Sequence, residues 1–317
     1  TNLDEIALHT RLNVKSQFLA GLHTNKFSIL KEDSKGNNKL TVDLLSLYRT
    51  NGDYLINSGW DLNKMNNRID VDLEHKYNYS YGKGKINLKL QTSALGSAYD
   101  YNKLILTAHN NNKVEKLKIN TRAYFQLGSG SNWAEESKLG LAGANNEEMM
   151  DSKFTRAEGI ISSDYMSYDY TTNYFHAAGG LNLRGYTGYL APEFNEDGTI
   201  ASYNYNGTSG AAFNAEVDFT AYLPYSIRSK NISSYLFADA GIISNEQLNK
   251  ENFTDVFTDV RADAGIGFTY TFRNFGPLET VRPLVIRFDM PLFLNRAPAA
   301  DEDFLQMRWL IGINRAF

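Results

Sequence analysis

Apolar and polar residues alternate along long stretches of this chain. Between Ile69 and Tyr81 every second residue is apolar, aromatic or histidine, and the positions between them carry Asp, Glu, Lys, Asn and Ser. A period of two residues is typical of a β-strand, because successive side chains of a strand point to opposite faces of the sheet. The Gly-Lys-Gly stretch 82–84 predicts a tight turn, and the alternation resumes in 86–94. Together these residues predict a β-hairpin.

The same alternation recurs along the rest of the chain and predicts about twelve antiparallel strands. Their approximate extents are 5–19, 39–48, 68–81, 85–95, 100–109, 114–127, 164–176, 211–223, 231–242, 258–272, 281–293 and 304–317. At about 10 to 15 residues, these strands exceed the roughly five or six residues that are typical of soluble proteins, and they are long enough to cross a bilayer at a tilt.

The two faces of these strands differ in charge. In the clearest strands, Lys, Arg, Asp and Glu are absent from the apolar face and frequent on the opposite face. A charged face requires water or charged partners, an apolar face requires lipid, and a closed sheet satisfies the backbone groups within a membrane. We therefore expect residues 1–317 to form one all-β domain, a closed antiparallel transmembrane β-barrel in the outer membrane of a Gram-negative bacterium. A soluble β-sandwich is the alternative, and the length of the strands disfavours it.

The predicted connections are of two kinds, as in bacterial barrels, whose periplasmic turns are short and whose extracellular loops are long. Short connections are predicted at 82–84, 110–113 and 273–280, and long ones at 20–38, 128–163, 177–210 and 243–257. Segment 49–67 breaks this rule, since it is long at the end that should carry short turns. Residues 145–152 predict a short helix within a long loop.

Composition narrows the functional classes. The chain has no Cys, which excludes disulfides and thiolate metal sites, and its net charge of -4 indicates no basic surface for nucleic acid. Its 20 Tyr and 18 Phe, against 6 Pro, favour strands. No run approaches the roughly 18 apolar residues of a membrane helix. Because the chain begins at Thr1 without a signal segment, we expect a mature chain or the C-terminal part of a longer protein.

Motifs of common enzyme classes are absent from the sequence. None of the 5 His belongs to a His-Glu-x-x-His zinc motif, and there is no Gly-x-Ser-x-Gly, Walker-type or dinucleotide-binding motif. We therefore expect that this chain is not itself an enzyme and that it holds no metal and no cofactor. A catalytic domain fused outside this chain is compatible with the same sequence.

A loop motif and a strand motif stand out from the alternation. Arg-Gly-Tyr occurs in the loop 177–210 and Phe-x-Asp-x-Gly in the strand 231–242, and their residues are Arg184, Gly185, Tyr186, Phe237, Asp239 and Gly241. Alternation places Asp239 on the polar face, and hence in the lumen. A guanidinium in a narrow lumen requires a carboxylate, with which its planar fork pairs bidentately. We also expect Gly185 to adopt a positive φ in a tight turn.

The two motifs together resemble the BamA-type superfamily of outer-membrane barrels, which includes bacterial surface antigens, insertases and two-partner-secretion translocators. The resemblance implies that a long extracellular loop folds into the lumen, where Arg184 at its tip pairs with Asp239 as a structural or gating latch. Glu216, which faces inward on the strand between the two motifs, is expected to be a second anion for Arg184. That family usually has more strands and carries periplasmic repeats before its barrel, and the chain departs from it in both respects.

The end of the chain resembles the signal that the outer-membrane assembly machinery reads. That signal is a terminal aromatic residue preceded by alternating apolar residues, and here it consists of Phe317, Ile313, Ile311 and Trp309. Arg315 departs from the pattern.

Three functional hypotheses follow. The barrel handles or translocates polypeptide at the outer membrane, or it is a non-catalytic membrane anchor of a larger surface enzyme such as a metallopeptidase, or it is a plugged passive channel. The expected partners are outer-membrane lipid and lipopolysaccharide, the assembly machinery during biogenesis and a polypeptide substrate, with no nucleic acid. The motif pair suits the first two hypotheses equally, because a latch that stiffens a barrel needs no substrate.

Overall fold

The computed structural model describes most of the chain, and the fold is given for those residues. They are 9–19, 22–50, 61–151, 175–187, 192–194, 200–203, 206–224, 231–244, 257–272, 284–296 and 304–317. Helical structure among them consists of α1 (Asn146–Asp151) and the short 3-10 turns Glu135–Ser137, Arg184–Tyr186 and Thr220–Tyr222. None of the helices in these ranges is long and apolar enough to cross a membrane.

One large sheet contains twelve strands that run antiparallel, each paired with its neighbours in the chain. They are β1 (His9–Leu19), β2 (Leu22–Glu32), β3 (Asn38–Arg49), β4 (Met65–Tyr79), β5 (Gly82–Ser93), β6 (Asp100–Val114), β7 (Leu117–Asn132), β8 (Gly210–Asp218), β9 (Ile232–Ile243), β10 (Arg261–Phe272), β11 (Leu284–Leu294) and β12 (Leu310–Ile313). A thirteenth segment, Phe175–His176, pairs in parallel with β12. The prediction of about twelve antiparallel strands is confirmed.

The prediction missed strand β2, which lies inside the predicted loop 20–38. This strand pairs along its whole length with both β1 and β3. On its exposed face only Phe27 and Ile29 are apolar, whereas His23, Asn25 and Lys31 share that face with them. The apolar alternation of β2 is therefore weak. Its backbone hydrogen bonds to β1 and β3 place it in the sheet.

The predicted strand 164–176 does not lie between its neighbours in the sheet. Strand β7 pairs directly with β8, with Lys118 opposite Asp218 and Gln126 opposite Gly210, which leaves no edge for another strand. Residues 164–174 lie outside the described residues, and 175–176 pair with β12 instead. The predicted number of strands is still twelve, because the omission of β2 offsets the extra strand predicted at 164–176.

Because β2 adds a strand near the start of the chain, the connections after it lie at the opposite ends of the sheet from those predicted. One end carries the short turns 33–37, 80–81 and 115–116, and the other carries 50–64, 94–99 and the long connection 133–209. Segment 49–67, which broke the rule in the sequence, thus lies at the end of the long connections. The predicted turn 110–113 was wrong, because β6 continues to Val114, and the predicted turn 273–280 lies outside the described residues.

The last strand is shorter than its predicted extent of 304–317. It spans only Leu310–Ile313, and Asn314 has a φ of +67°, a left-handed conformation that ends the extended chain. The described pairings do not join β1 to β12.

The sheet is polar on one face and apolar on the other. The inner face, which is covered by other parts of the chain, carries buried Arg68, Arg122 and Asp239. The outer face exposes large apolar side chains, such as Leu73 and Leu236, which are 47% and 53% exposed. A soluble protein buries its apolar face, and this reversed arrangement is typical of a membrane-spanning barrel wall.

Candidate functional site

Two parts of the connection 133–209 lie against the inner face of the sheet. We call residues 134–149 and 177–187 together the plug. Backbone hydrogen bonds join its parts: the amides of Leu181 and Leu183 donate to the carbonyls of Gly140 and Leu141, at 3.0 and 3.1 Å. The plug is thus one hydrogen-bonded unit. The predicted inward loop 177–210 contributes its first residues to it, and most of 188–205 lies outside the described residues.

The plug has an apolar centre of its own. Leu139, Leu141, Leu181 and Leu183 are at most 1% exposed and belong to one cluster of buried side chains. The large sheet, which we call the wall, completes this cluster with Tyr124, Ala212, Ile243 and Leu294. The sequence did not predict that 134–149 lies against the inner face of the sheet, although apolar Leu139, Leu141 and Ala142 in a polar loop are a signal for it.

Helix α1 begins with a reciprocal pair of hydrogen bonds. The amide of Glu148 donates to Asn145 Oδ1 at 2.9 Å, and the amide of Asn145 donates to Glu148 Oε2 at 3.0 Å. This capping box satisfies amide groups that the first helical turn leaves unpaired. The predicted helix at 145–152 is confirmed as Asn146–Asp151.

Arg184 is fully buried at the contact between the plug and strands β8 and β9. Its Nε and Nη2 donate to the two carboxylate oxygens of Asp239, at 2.7 and 3.2 Å, and its Nη1 donates to Glu216 Oε1 at 2.9 Å. The Phe237 ring lies under the guanidinium, with its centroid 4.2 Å from Cζ. The structure therefore brings Arg184, Glu216, Phe237 and Asp239 together, in a bidentate geometry that suits a guanidinium.

Further polar groups, which sequence analysis missed, surround this contact. Asn214 Nδ2 donates to Asp239 Oδ1 at 3.0 Å, and Asp289 Oδ2 lies 3.8 Å from Arg184 Nη1. Asp289 in turn pairs with Arg287 at 2.9 Å and accepts a hydrogen bond from the Tyr235 hydroxyl. Their inward position on β8, β9 and β11 follows from alternation, but their partners depend on how the sheet curves.

The charge of Arg184 is held by its anionic neighbours. Burial alone would lower its pKa, but the carboxylates of Asp239, Asp289 and Glu216 raise the pKa of Arg184 well above its ordinary value. The plug is therefore attached to this part of the wall through a permanent positive charge.

Gly185 is needed for close packing rather than for a positive φ. It lies in a 3-10 turn and is absent from the residues with left-handed φ, so the expectation of a positive φ was wrong. A Cβ at this position would lie 2.5 Å from Asp263 Cβ, well inside van der Waals contact. Gly241 shows the same constraint, since its Cβ would lie 2.7 Å from the Ala211 carbonyl oxygen.

Tyr186 ties the end of this turn to the rim of the sheet. Its hydroxyl donates to Asn295 Oδ1 at 2.8 Å and accepts from the amide of Arg296 at 3.2 Å. The ring itself is 1% exposed and belongs to the apolar cluster of the plug.

The plug has a second attachment, on strands β4 and β6, which sequence analysis did not predict. Arg68 pairs with Asp70 at 2.9 Å and with Glu147 of the plug. The Ser137 hydroxyl donates to Glu147 Oε2 at 2.8 Å, and Lys103 Nζ donates to the Ser137 carbonyl at 3.1 Å. The plug is therefore held by charged groups at two separate parts of the wall.

Two carboxylates of the plug have opposite pKa shifts at this second attachment. Burial raises the pKa of Glu136 to about 7, and its carboxylate accepts a hydrogen bond from Asn66 Nδ2 at 3.3 Å. Burial would also raise the pKa of Glu147, but the charge and hydrogen bond of Arg68 outweigh it and lower the pKa to about 2. Glu147 is thus an ionised partner of Arg68 at neutral pH, whereas Glu136 keeps its proton to a higher pH than an ordinary carboxyl group does.

The residues of the expected assembly signal separate into two groups. Trp309 and Ile311 are 39% and 41% exposed on the outer face, and Ile313 ends the strand. Phe317 lies on the inner side, with its ring centroid 5.8 Å from Arg184 Cζ, so it does not continue the outer apolar row. Arg315 pairs with Glu216 and Asp218, at 3.5 and 3.2 Å, which explains its departure from the apolar pattern.

The described residues contain no group of three His, Asp or Glu side chains that could hold a metal ion.

Comparisons with known proteins give matches among solved structures. No family model matches the chain, and no curated protein matches it. The chain is similar to BamA from Haemophilus ducreyi lacking POTRA domains 1–3, at 13% identity and a TM-score of 0.47, over 96% of this chain and 58% of that one. It is similar to CdiB from Escherichia coli, at 13% identity and a TM-score of 0.46, over 94% of this chain and 48% of that one.

The Pseudomonas aeruginosa protein OprD is also similar, at 10% identity and a TM-score of 0.39, over 95% of this chain and 67% of that one. The chain spans about half the length of the BamA and CdiB chains.

Proposed function

We propose that the chain is an outer-membrane β-barrel that closes around its plug, and that the plug is a gate through which the barrel handles polypeptide. The observation that carries this proposal is the way the plug is held. Its apolar centre lies mostly within the plug, whereas Arg184 and Glu147 attach it to two parts of the wall by charge.

Attachment by charge suits a part that moves. When charged groups separate into a water-filled lumen, water solvates both partners, so hydration offsets much of the lost attraction. Separation of apolar surfaces has no such compensation and costs about 25 cal/mol for each Å² exposed. A displacement that keeps Leu139, Leu141, Leu181 and Leu183 together would therefore break the ionic contacts and expose only the part of the apolar cluster that packs against the sheet.

The outer face supports the location of the barrel. Its row of exposed leucines and aromatic side chains is suited to outer-membrane lipid and to the acyl chains of lipopolysaccharide. Trp309, Ile311 and Ile313 extend that row to the end of β12, where, with Phe317, the assembly machinery would bind during biogenesis.

Ion currents across planar bilayers test the gate. We compare wild type with Glu147→Gln, which keeps the shape of the side chain and removes its charge from Arg68, and with Glu135→Gln as a control. The Glu135 side chain is 39% exposed, and it pairs with Lys138 of the plug itself. We expect wild type and Glu135→Gln to be nearly closed and Glu147→Gln to open severalfold more often. An unfolded polypeptide added to one side should then block the open current.

Each result of this experiment has a consequence for the proposal. Only protein that migrates as a folded barrel without heating is reconstituted, so a loss of folding is not mistaken for a closed gate. Equal currents in the two variants would contradict the gate. Open currents that polypeptide does not block would contradict polypeptide handling and favour a plugged passive channel.

A second candidate function is a static membrane anchor for a larger surface enzyme such as a metallopeptidase. The observation in its favour is the complete burial of Arg184 and Arg287 with their carboxylates, which fixes the lumen in one state. The intact mass of the native protein extracted from outer membranes tests this function. A mass well above 35.7 kDa, with a closed lumen in Glu147→Gln, would support the anchor.

A further inference from the structure

A polar cavity of about 330 Å³ lies between α1 and the inner faces of β2–β7. The side chains that line it are mostly polar, and they belong to six neighbouring strands and to the plug. Its charged residues are Lys26, Arg68, Asp70, Lys89, Lys103, Arg122, Glu147 and Glu148. Five of these are cations and three are carboxylates, so the cavity has an excess of positive charge.

Some cations of the cavity lining pair with its carboxylates, and others do not. Arg68 pairs with both Asp70 and Glu147, and Lys89 lies 3.5 Å from Asp70. Lys26 pairs with Asp43, which lies outside the cavity lining, at 2.7 Å. The remaining two cations, Lys103 and Arg122, face one remaining carboxylate, Glu148, so these three groups leave an excess of one positive charge in the cavity lining.

Lys103 and Arg122 are bonded to neutral acceptors. Lys103 is 3% exposed, and its Nζ donates to the Ser137 carbonyl. Arg122 donates to the Gly180 carbonyl at 2.6 Å and to Asn214 Oδ1 at 2.8 Å. Within the described part of the chain, neither cation has a carboxylate at salt-bridge distance. A buried charge without a counterion is costly, and an ammonium group with one acceptor has two further N–H donors to offer.

The positions of these cations in the sheet bring them to one place. Lys103 of β6 is opposite Gln91 of β5, and Lys89 is two residues from Gln91 on the same face. Diagonal neighbours on one face of a sheet are within reach of long side chains. His109 of β6 is directly opposite Arg122 of β7 and also lines the cavity.

We propose that this cavity binds a small oxyanion of the phosphate class, held by Lys103 and Lys89, with Arg122 supplying further positive charge in the cavity lining. One negative charge on such an anion would balance the excess that Lys103, Arg122 and Glu148 leave in the cavity lining. Tetrahedral oxyanions accept several hydrogen bonds, which matches the unused donors of the two ammonium groups. The cavity lies on the inner face, so the site takes a free anion and not a phosphate that is fixed in a lipid headgroup.

Calorimetric titration of the full chain, folded in detergent, with inorganic phosphate tests the proposal. We expect saturable binding that weakens as salt rises, and a loss of about tenfold in affinity in Lys103→Gln, from removal of one charge-assisted hydrogen bond. Lys85→Gln is the matched control, because Lys85 lies on the same face of β5 as Lys89 but outside the cavity lining. It removes the same charge and should leave the affinity unchanged.

A second variant keeps the test valid if Lys103→Gln does not fold. Lys89→Gln affects a side chain that is 32% exposed, so the barrel should tolerate it, and it should also weaken phosphate binding severalfold. Absence of saturable binding by wild type would overturn the proposal. So would an equal loss of affinity in Lys85→Gln, which would indicate attraction by net charge alone. Binding of phosphate only when lipid vesicles are present would assign the signal to a headgroup and also overturn it.

Discussion

Arg184 lies among three carboxylates of the wall, and all four side chains are buried. Asp239 and Glu216 accept its hydrogen bonds, and Asp289 lies just beyond them. Buried ion pairs of this kind contribute less to stability than their geometry suggests, because both partners lose hydration when they are buried. Loss of one partner is far more costly, since the charge that is left behind stays buried.

We therefore expect Arg184→Ala to lower the free energy of unfolding by about 3–5 kcal/mol. The measurement is the temperature at which the folded, faster-migrating band disappears on a gel. Arg315→Ala is the control, because Arg315 pairs with Glu216 and Asp218 but is 31% exposed, and surface pairs of this kind contribute about 1 kcal/mol or less. An unchanged melting temperature in Arg184→Ala would show that the contact does not hold the plug.

Glu136 makes the stability of the plug depend on pH. Its folded pKa of about 7 lies above the ordinary value of 4.5, so between these values the folded state binds more protons than the unfolded state. Stability therefore falls as pH rises through this window, by roughly 3 kcal/mol at about 1.4 kcal/mol for each pKa unit. We expect Glu136→Gln to be more stable than wild type at pH 8 and to have no advantage at pH 4.

Thermal unfolding of Glu136→Gln and wild type, followed from pH 4 to pH 8, measures this difference. Glu135→Gln is the matched control, because it makes the same chemical change one residue away, on a more exposed side chain. A difference between Glu136→Gln and wild type that does not vary with pH would contradict the assignment of the titration to Glu136.

At the residue scale, alternation alone placed Asp239 and Glu216 on the inner face, and the resemblance to a family supplied their partner, Arg184. The prediction that Gly185 adopts a positive φ was wrong. Glycine is needed there because the Asp263 side chain packs against it, and the sequence does not show that contact. Lys103, Arg68 and Glu147 were not singled out, since they meet only after the chain has folded back on itself.

At the scale of the elements, strands with a strong period of two were found and the weakest one was not. Strands β4 and β5 carry a continuous apolar row, and their hairpin was predicted within a few residues. Strand β2 carries only Phe27 and Ile29 on its outer face, so its place in the sheet depends on hydrogen bonds to β1 and β3. Backbone pairing of this kind leaves no trace in the side-chain pattern.

The plug was not predicted for a similar reason: backbone hydrogen bonds, which the side-chain pattern does not reveal, define it. Its two parts are held together by backbone hydrogen bonds between residues about forty apart in the chain, such as the bond from Leu181 to Gly140. Gly180 allows the approach, since it has a φ of +50° and its Cβ would lie 2.5 Å from the Gly140 carbonyl oxygen. Neither local propensity nor period predicts a pairing of this kind.

The whole molecule has two unlike ends, and the twelve strands fix which connections share an end. The end with the short turns includes 33–37, and the other end includes 94–99 and the long connection 133–209. In bacterial barrels the short turns are periplasmic. By that rule we expect the end with the short turns to face the periplasm.

Single cysteines test this orientation, because the chain has no Cys of its own. We expect a membrane-impermeant maleimide to label Leu95→Cys on intact cells, since Leu95 is 99% exposed at the end of the long connections. Ser34→Cys, which is exposed at the other end, should be labelled only after the outer membrane has been permeabilised. The reverse result would invert the orientation, and equal labelling of both would contradict a membrane-spanning sheet.

The ladder between β7 and β8 joins strands that are neighbours in space but are separated in the chain by the whole of 133–209. The entropy lost on closing a flexible loop grows only with the logarithm of its length, by about 0.6 kcal/mol for each doubling, so the long insertion raises the cost of this ladder little. The larger cost is ordering the inserted backbone, at about 1–2 kcal/mol for each residue fixed. Contacts that offset this cost come from strands on both sides of the insertion, and the wall and its plug are therefore one cooperative folding unit.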